Sequence, residues 1–255
     1  MPHIVIAVDG TNSYAYRRSW VQQFYEHAVA DCKAYWAGPT DLGGATGLHC
    51  TVIASGVIQW LTRVLSERGI NIQAASAMQV NLTLVGHSRG GHTVIDVCNR
   101  LNFPTTFMAL YDAVDMTAAL GDTSVIRNSL YTAHARRSPH MDSWSWWGNT
   151  GTSVSRGTYE ERFFETNHGG VGGDVGDETI SVTSDSSCIY VAPPPNPPVV
   201  RERCYRGECF DVPVAPHRRV AHEIYPDIHS RCGVQSDEAN NWIRSRAVDS
   251  GIRFS

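Results

Sequence analysis

Short β-branched apolar runs and helix-spaced apolar positions alternate through the first two thirds of the chain. Residues 4–8 are consecutively apolar and run straight into Asp9-Gly10-Thr11, as a buried strand entering a turn does. Over residues 51–68, Ile53, Val57, Leu61 and Leu65 recur every four positions and so share one helix face, and Gly69 supplies the stop. Residues 80–85 predict a second strand and residues 93–101 a second helix. Residues 107–111, after Pro104, predict a third strand, and residues 163–166 a further one. This order predicts an α/β fold with a mostly parallel central sheet flanked by helices.

The pattern changes beyond residue 167. Residues 167–187 are rich in Gly, Ser, Thr and Asp, and residues 192–198 hold five of the 12 prolines, which predicts extended backbone. Residues 199–235 carry too few apolar side chains for a core of their own. The whole of 1–255 therefore reads as one domain, with a loop-rich, proline-rich insertion at 177–235. A last helix is expected over 236–250, capped by Ser236, with Ala239, Trp242, Ile243 and Ala247 on one face. No internal repeats are visible.

Composition narrows the function. The 255 residues are 42% apolar and 18% charged, with 21 Lys and Arg against 25 Asp and Glu, a net charge of -4. That is no basic field for a row of phosphates, so no nucleic-acid partner is expected. No apolar run approaches the roughly 18 residues of a membrane span. The N-terminus lacks the positive start and longer apolar core of a secretory signal. The expected location is the cytoplasm, or an exterior reached by a route that reads no cleavable signal. Of the 7 cysteines, Cys50 and Cys98 fall on predicted helices as small buried residues, and Cys32 lies near another candidate helix. Cys188, Cys204, Cys209 and Cys232 fall in or beside the proline-rich stretch, where cross-links stabilise most. One or two disulfides among these four are expected in an oxidising compartment.

The segment Leu82-Thr83-Leu84-Val85-Gly86-His87-Ser88-Arg89-Gly90-Gly91 carries the most chemistry. It is a strand, then Gly-x-Ser-x-Gly, then a helix. Such a turn lifts a serine hydroxyl above the sheet edge, and the next amide, that of Arg89, then points to where an oxyanion forms. A serine nucleophile needs an acid and a base, which in this arrangement follow in the order acid, then histidine. Asp112 ends the third predicted strand, with Asp115 and Asp96 as alternatives. His168 follows a Phe-Phe strand in a glycine-rich loop, with His217, His222 and His229 as competitors among the 11 histidines. The spacing of those three matches no familiar zinc pattern, so neither metal nor cofactor is expected.

Four segments in this order carry a resemblance: Val8-Asp9-Gly10-Thr11-Asn12, Gly-His-Ser-Arg-Gly-Gly at 86–91, Tyr111-Asp112-Ala113-Val114, and Asn167-His168-Gly169-Gly170-Val171-Gly172-Gly173. Together they resemble the α/β-hydrolase family of uncharacterised bacterial hydrolases that includes the type VI secretion lipase effectors. The final helix, with Asp237-Glu238-Ala239-Asn240-Asn241-Trp242, is similar to the family's C-terminal helix. The resemblance covers about residues 3–176 and 236–252. It implies Ser88 as nucleophile, Asp112 as orienting acid and His168 as base, with the Gly10–Thr11 backbone beside the Arg89 amide at the oxyanion. Relatives of this kind act on carboxylic esters, phospholipids among them. His87 stands where the family carries an aromatic residue before the serine, Ala113 where it carries Thr, and Gly-Gly follows His168 where it carries an Asp.

Between the acid and the base lies Asp142-Ser143-Trp144-Ser145-Trp146-Trp147-Gly148. Residues 138–160 are the candidate lid loop. Trp144, Trp146 and Trp147, together with His87, are the candidate substrate-binding residues, able to line an acyl pocket or touch a lipid interface. The sequence thus predicts a serine esterase or lipase that works through an acyl-enzyme on a small-molecule or lipid ester. Thioesterase, amidase or acyltransferase chemistry on the same site is the alternative, and a non-catalytic binding module the remaining one.

Overall fold

A computed structural model describes residues 1–11, 19–39, 48–76, 79–115, 123–138, 148–173, 201–205, 208–212 and 228–255. Its centre is a six-stranded sheet. The strands are β1 (His3–Val8), β2 (Cys32–Trp36), β3 (Asn81–His87), β4 (Phe107–Tyr111), β5 (Tyr131–Arg137) and β6 (Thr158–Phe164). Their spatial order is β6-β5-β4-β3-β1-β2, and every neighbouring pair is parallel.

Alternation along each strand supplies both faces of the core. Ile4, Ile6, Val8, Leu82, Leu84, Met108 and Leu110 pack on one side against α2 (Leu48–Ser66) and α3 (Arg89–Arg100). Val5, Ala7, Val85, Ala109, Tyr111, Ala133 and Ala135 pack on the other. There they meet α1 (Trp20–His27) through Val21 and Phe24, and the C-terminal helix Ile228–Asp249 through Ala239, Ile243 and Ala247. A strand covered on both faces has no polar side to show, which is why β1 and β4 read as continuous apolar runs and β3 as a mostly apolar one interrupted by Thr83.

The topology positions the site. From β1 the chain passes through α1 to β2 at one edge. It then crosses back through α2 to β3 and steps outward through β4, β5 and β6. The connections after β1 and β3 therefore leave in opposite directions, and their carboxyl ends open a crevice between them.

Several boundaries differ from the sequence expectation. Helix α3 begins at Arg89, directly after the serine, rather than at residue 93. The last strand runs over Thr158–Phe164 rather than 163–166, so the end of the 138–160 segment belongs to the sheet. The C-terminal helix starts at Ile228, so Ser236 is inside it and is not its cap. Cys32 lies in strand β2. Within the 177–235 insertion, Arg201–Tyr205 and Glu208–Val212 pair antiparallel, with Cys204 opposite Cys209. Cys232 is disulfide-bonded, whereas Cys32, Cys50 and Cys98 are free thiols. Among the described residues no helix is long and apolar enough to cross a membrane.

Candidate active site

Ser88 ends the Gly-His-Ser turn between β3 and α3. Its backbone has φ 55° and ψ -130°, a left-handed region that costs a non-glycine residue about 1–3 kcal/mol. Neighbouring bonds hold it there: Ser88 N–H donates to Tyr111 O (3.0 Å), and Ser88 O accepts from His92 N–H (3.3 Å) and Val114 N–H (3.2 Å). The flanking glycines are a steric requirement. A Cβ on Gly86 would lie 2.7 Å from Gly90 O and Gly91 Cα, and one on Gly90 would collide with the Val8 and Asp9 carbonyls. Only without those side chains does α3 start hard against the ends of β1 and β3.

Ser88, Asp112 and His168 converge. His168 Nε2 lies 2.8 Å from Ser88 Oγ, and His168 Nδ1 lies 2.6 Å from Asp112 Oδ2. With a neutral imidazole, Nδ1–H donates to the carboxylate and Nε2 accepts from the serine hydroxyl. All three residues are buried. Burial pushes His168 down, the Asp112 contact opposes this, and the net result is about 4. An unprotonated Nε2 facing a hydroxyl can take its proton, and the carboxylate can stabilise the imidazolium that results.

Each member is pinned from outside. Asp112 directly follows β4 with φ 42°, and its N–H donates to Ala135 O (2.7 Å). His168 opens a single helical turn (His168–Val171) capped by Asn167, whose Oδ1 accepts from Gly170 N–H (2.5 Å). Ser236 of the C-terminal helix donates to Gly170 O (2.5 Å) and accepts from Trp20 Nε1–H (3.0 Å). Trp20 N–H also donates to Gly172 O (3.0 Å). The apolar face of the last helix thus brings a polar residue that fastens the His168 turn.

The loop after β1 reaches the same place. A Cβ on Gly10 would lie 3.2 Å from Ser88 Cβ. The buried Asp9 carboxylate anchors this loop, accepting from Tyr35 Oη–H (2.9 Å), from Ser19 Oγ–H and from Gly10 N–H (2.8 Å). Gly10's amide is therefore turned onto Asp9. The Thr11 hydroxyl is buried without a hydrogen-bond partner. Arg89 is buried as the first residue of α3.

His87 faces His168. Its Nε2 lies 3.2 Å from His168 O, and the two rings are 5.0 Å apart at 32°. A Cβ on Gly10 would come within 2.7 Å of its Nδ1, so the half-buried ring fills the space between the Gly10 loop and the base. Of the alternatives, Asp96 is on α3, ion-paired with Arg100 (2.6 Å), and Asp115 lies in a short strand with its backbone opposite Gly148. His217 and His222 lie outside the described residues, as do Trp144, Trp146 and Trp147, and of His229 only the helical backbone is described.

Two residues of β5 complete the site without having been expected. Arg137 Nη1 donates to Asp112 Oδ2, and its N–H lies 3.4 Å from Oδ1. Burial alone would raise the Asp112 carboxyl, but the Arg137 guanidinium and the His168 contact outweigh it and hold the group well below the usual carboxylate range. His134, fully buried, accepts from Ala113 N–H at Nε2 (3.1 Å) and contacts Gly151 O through Nδ1 (3.1 Å), which braces the residue after Asp112. The signal for both was only a His-x-x-Arg spacing in an alanine-rich segment.

Burial, then Arg136, pushes His134 down to about 4, below the 6.5 of an ordinary histidine. As pH falls the unfolded chain takes up this proton first, so the stability His134 contributes is complete above about 6.5 and is lost toward 4. Urea denaturation should show the advantage of wild type over His134→Gln shrinking by about 3 kcal/mol between pH 7 and pH 4. A constant difference would mean that His134 is not buried neutral.

No protein-family model matches the chain, and no curated protein does.

Proposed function

We propose that the protein is a serine hydrolase of carboxylic esters with an α/β-hydrolase architecture, an esterase or lipase that works through an acyl-enzyme. The observation that carries this reading is the hydrogen-bonded series Ser88 Oγ, His168 Nε2–Nδ1, Asp112 Oδ2, built on a left-handed serine at the crevice between β1 and β3. Its members follow in the chain order of that architecture, and the four segments that resemble the bacterial hydrolase family, lipase effectors among them, are the ones meeting here.

In the first step Ser88 Oγ bonds to the ester carbonyl carbon while its proton passes to His168 Nε2. The carbonyl oxygen becomes an oxyanion, received by the amides of Arg89 and Thr11, with the unpartnered Thr11 hydroxyl beside them. The C–O bond to the alcohol breaks, and the alcohol leaves with the proton from His168. Water, deprotonated by His168, then attacks the acyl-enzyme, and the acid departs as Ser88 recovers its proton. The carboxylate holds the tautomer throughout.

A fluorophosphonate probe tests the reading. It should label the wild-type chain on Ser88, and the labelled chain should no longer hydrolyse p-nitrophenyl esters. A wild-type protein that is folded yet refuses the probe and turns over no acyl ester of any chain length would overturn the proposal.

A further inference from the structure

The acid of the site is shared between two partners. Asp112 Oδ2 takes His168 Nδ1–H at 2.6 Å and also the Arg137 guanidinium, and the Arg137 amide lies on Oδ1. The aspartate and arginine side chains are 1% and 13% exposed, so little solvent screens the pair. We infer that Arg137 is a positioning residue that acts through Asp112: it clamps the carboxylate beneath the His168 ring and, by neutralising part of its charge, lowers the proton affinity of His168, so that the site keeps a working base in acidic medium. The inference rests on the reading of Ser88, His168 and Asp112 as a catalytic triad.

The physical argument is a competition for one charge. In a Ser-His-Asp site the carboxylate stabilises the imidazolium, and its full negative charge raises the histidine's affinity for a proton. A guanidinium on the same oxygen cancels part of that field and repels the imidazolium. The other described groups around the ring do not restore it. His87, its ring tilted by 32° at 5.0 Å, adds a second opposing influence. His134, on the same strand as Arg137, braces Ala113 as a neutral ring. The C-terminal helix presents Ser236 and Asn240, which carry no charge, and α1 presents Trp20. Burial is the largest influence pushing His168 down, the Asp112 contact opposes it, and His87 and Arg137 add to it, so that His168 stands at about 4. The geometry also accounts for the position of Arg137. It ends β5, which lies beside β4, and Asp112 directly follows β4, so adjacent parallel strands deliver the cation to the carboxylate.

The experiment reads the rate of fluorophosphonate labelling of Ser88 from pH 4 to pH 9 in the full chain, for wild type, Arg137→Gln and Arg137→Lys. Wild type should keep half its plateau rate down to below pH 5. In Arg137→Gln the acid limb should move up by about one to two pH units, so that at pH 5 its rate falls to between about a half and a tenth of its own plateau. Arg137→Lys, which retains the charge, should lie between the two. A uniform loss at every pH with the limb unmoved would assign Arg137 a purely structural role and overturn the inference, while leaving the esterase reading intact. Absence of wild-type labelling at every pH would instead count against that reading. Should Arg137→Gln fail to fold, NMR titration of His168 in the wild-type chain decides: titration below pH 5 is expected, and an ordinary value near 6.5 overturns the inference.

Discussion

Replacing Ser88 by alanine is expected to lower p-nitrophenyl ester hydrolysis by about 10⁴-fold or more and to abolish fluorophosphonate labelling, with the chain still folded. The hydroxyl 2.8 Å from His168 is the one group placed to form the acyl bond, and nothing else in the described site substitutes for it. The same position has a stability signature. At φ 55° and ψ -130° serine and alanine are both strained, whereas glycine is not. Ser88→Gly should therefore be inactive yet more stable than wild type by about 1 kcal/mol in urea denaturation. An inactive glycine variant of unchanged or lower stability would show that the turn stores no strain. A serine variant that retains most of its turnover would remove Ser88 from the mechanism.

Asp112→Asn should cost nearly as much activity, about 10³–10⁴-fold in kcat. Because Asp112 Oδ2 receives both the Arg137 guanidinium and His168 Nδ1–H, an asparagine oxygen in its place accepts from both but carries no charge to stabilise the imidazolium. Stability should fall as well, by about 3 kcal/mol or more, because the buried guanidinium loses the charge that compensates it. The two effects separate in a double variant. Adding Arg137→Gln to Asp112→Asn should recover part of the stability and none of the activity, and thermal denaturation alongside kcat measures both. If the second substitution recovers no stability, the Arg137–Asp112 pair is not coupled in the way its geometry requires.

Much of this site was legible in the chain itself. Ser88 was, because the strand, the Gly-x-Ser-x-Gly turn and the helix are contiguous, and their mutual geometry follows from glycines whose missing Cβ atoms let α3 close on β1. Strands β1, β3 and β4 were too, because burial on both faces leaves a predominantly apolar run. Asp112 and His168 were visible as the candidate acid and base at strand ends. Strands β2 and β5 were not. Cys32-Lys33-Ala34-Tyr35-Trp36 is an edge strand, half buried throughout, and Tyr131–Arg137 buries alanines where a strand normally shows branched residues. Its Ala133 and Ala135 are small where the sheet meets the last helix, while His134 and Arg137 are polar because they serve the Asp112 turn. The charged β6 was half missed for the same reason, since an edge strand tolerates Glu160, Glu161 and Arg162 facing water.

The sequence by itself therefore determined the local devices of this protein: which strands are central, where the serine turn lies, and which residue types could complete it. Those depend on neighbours within a few positions, through sterics and burial period. Only the tertiary structure decided which acid and which histidine meet the serine, that Gly10's amide is committed to Asp9, and that Arg137 shares the acid. Asp112, Arg137 and His168 are 25 and 31 residues apart along the chain and share one cluster because three strand ends lie side by side. Strand order is set by how the apolar faces pack globally, and no local spacing encodes it.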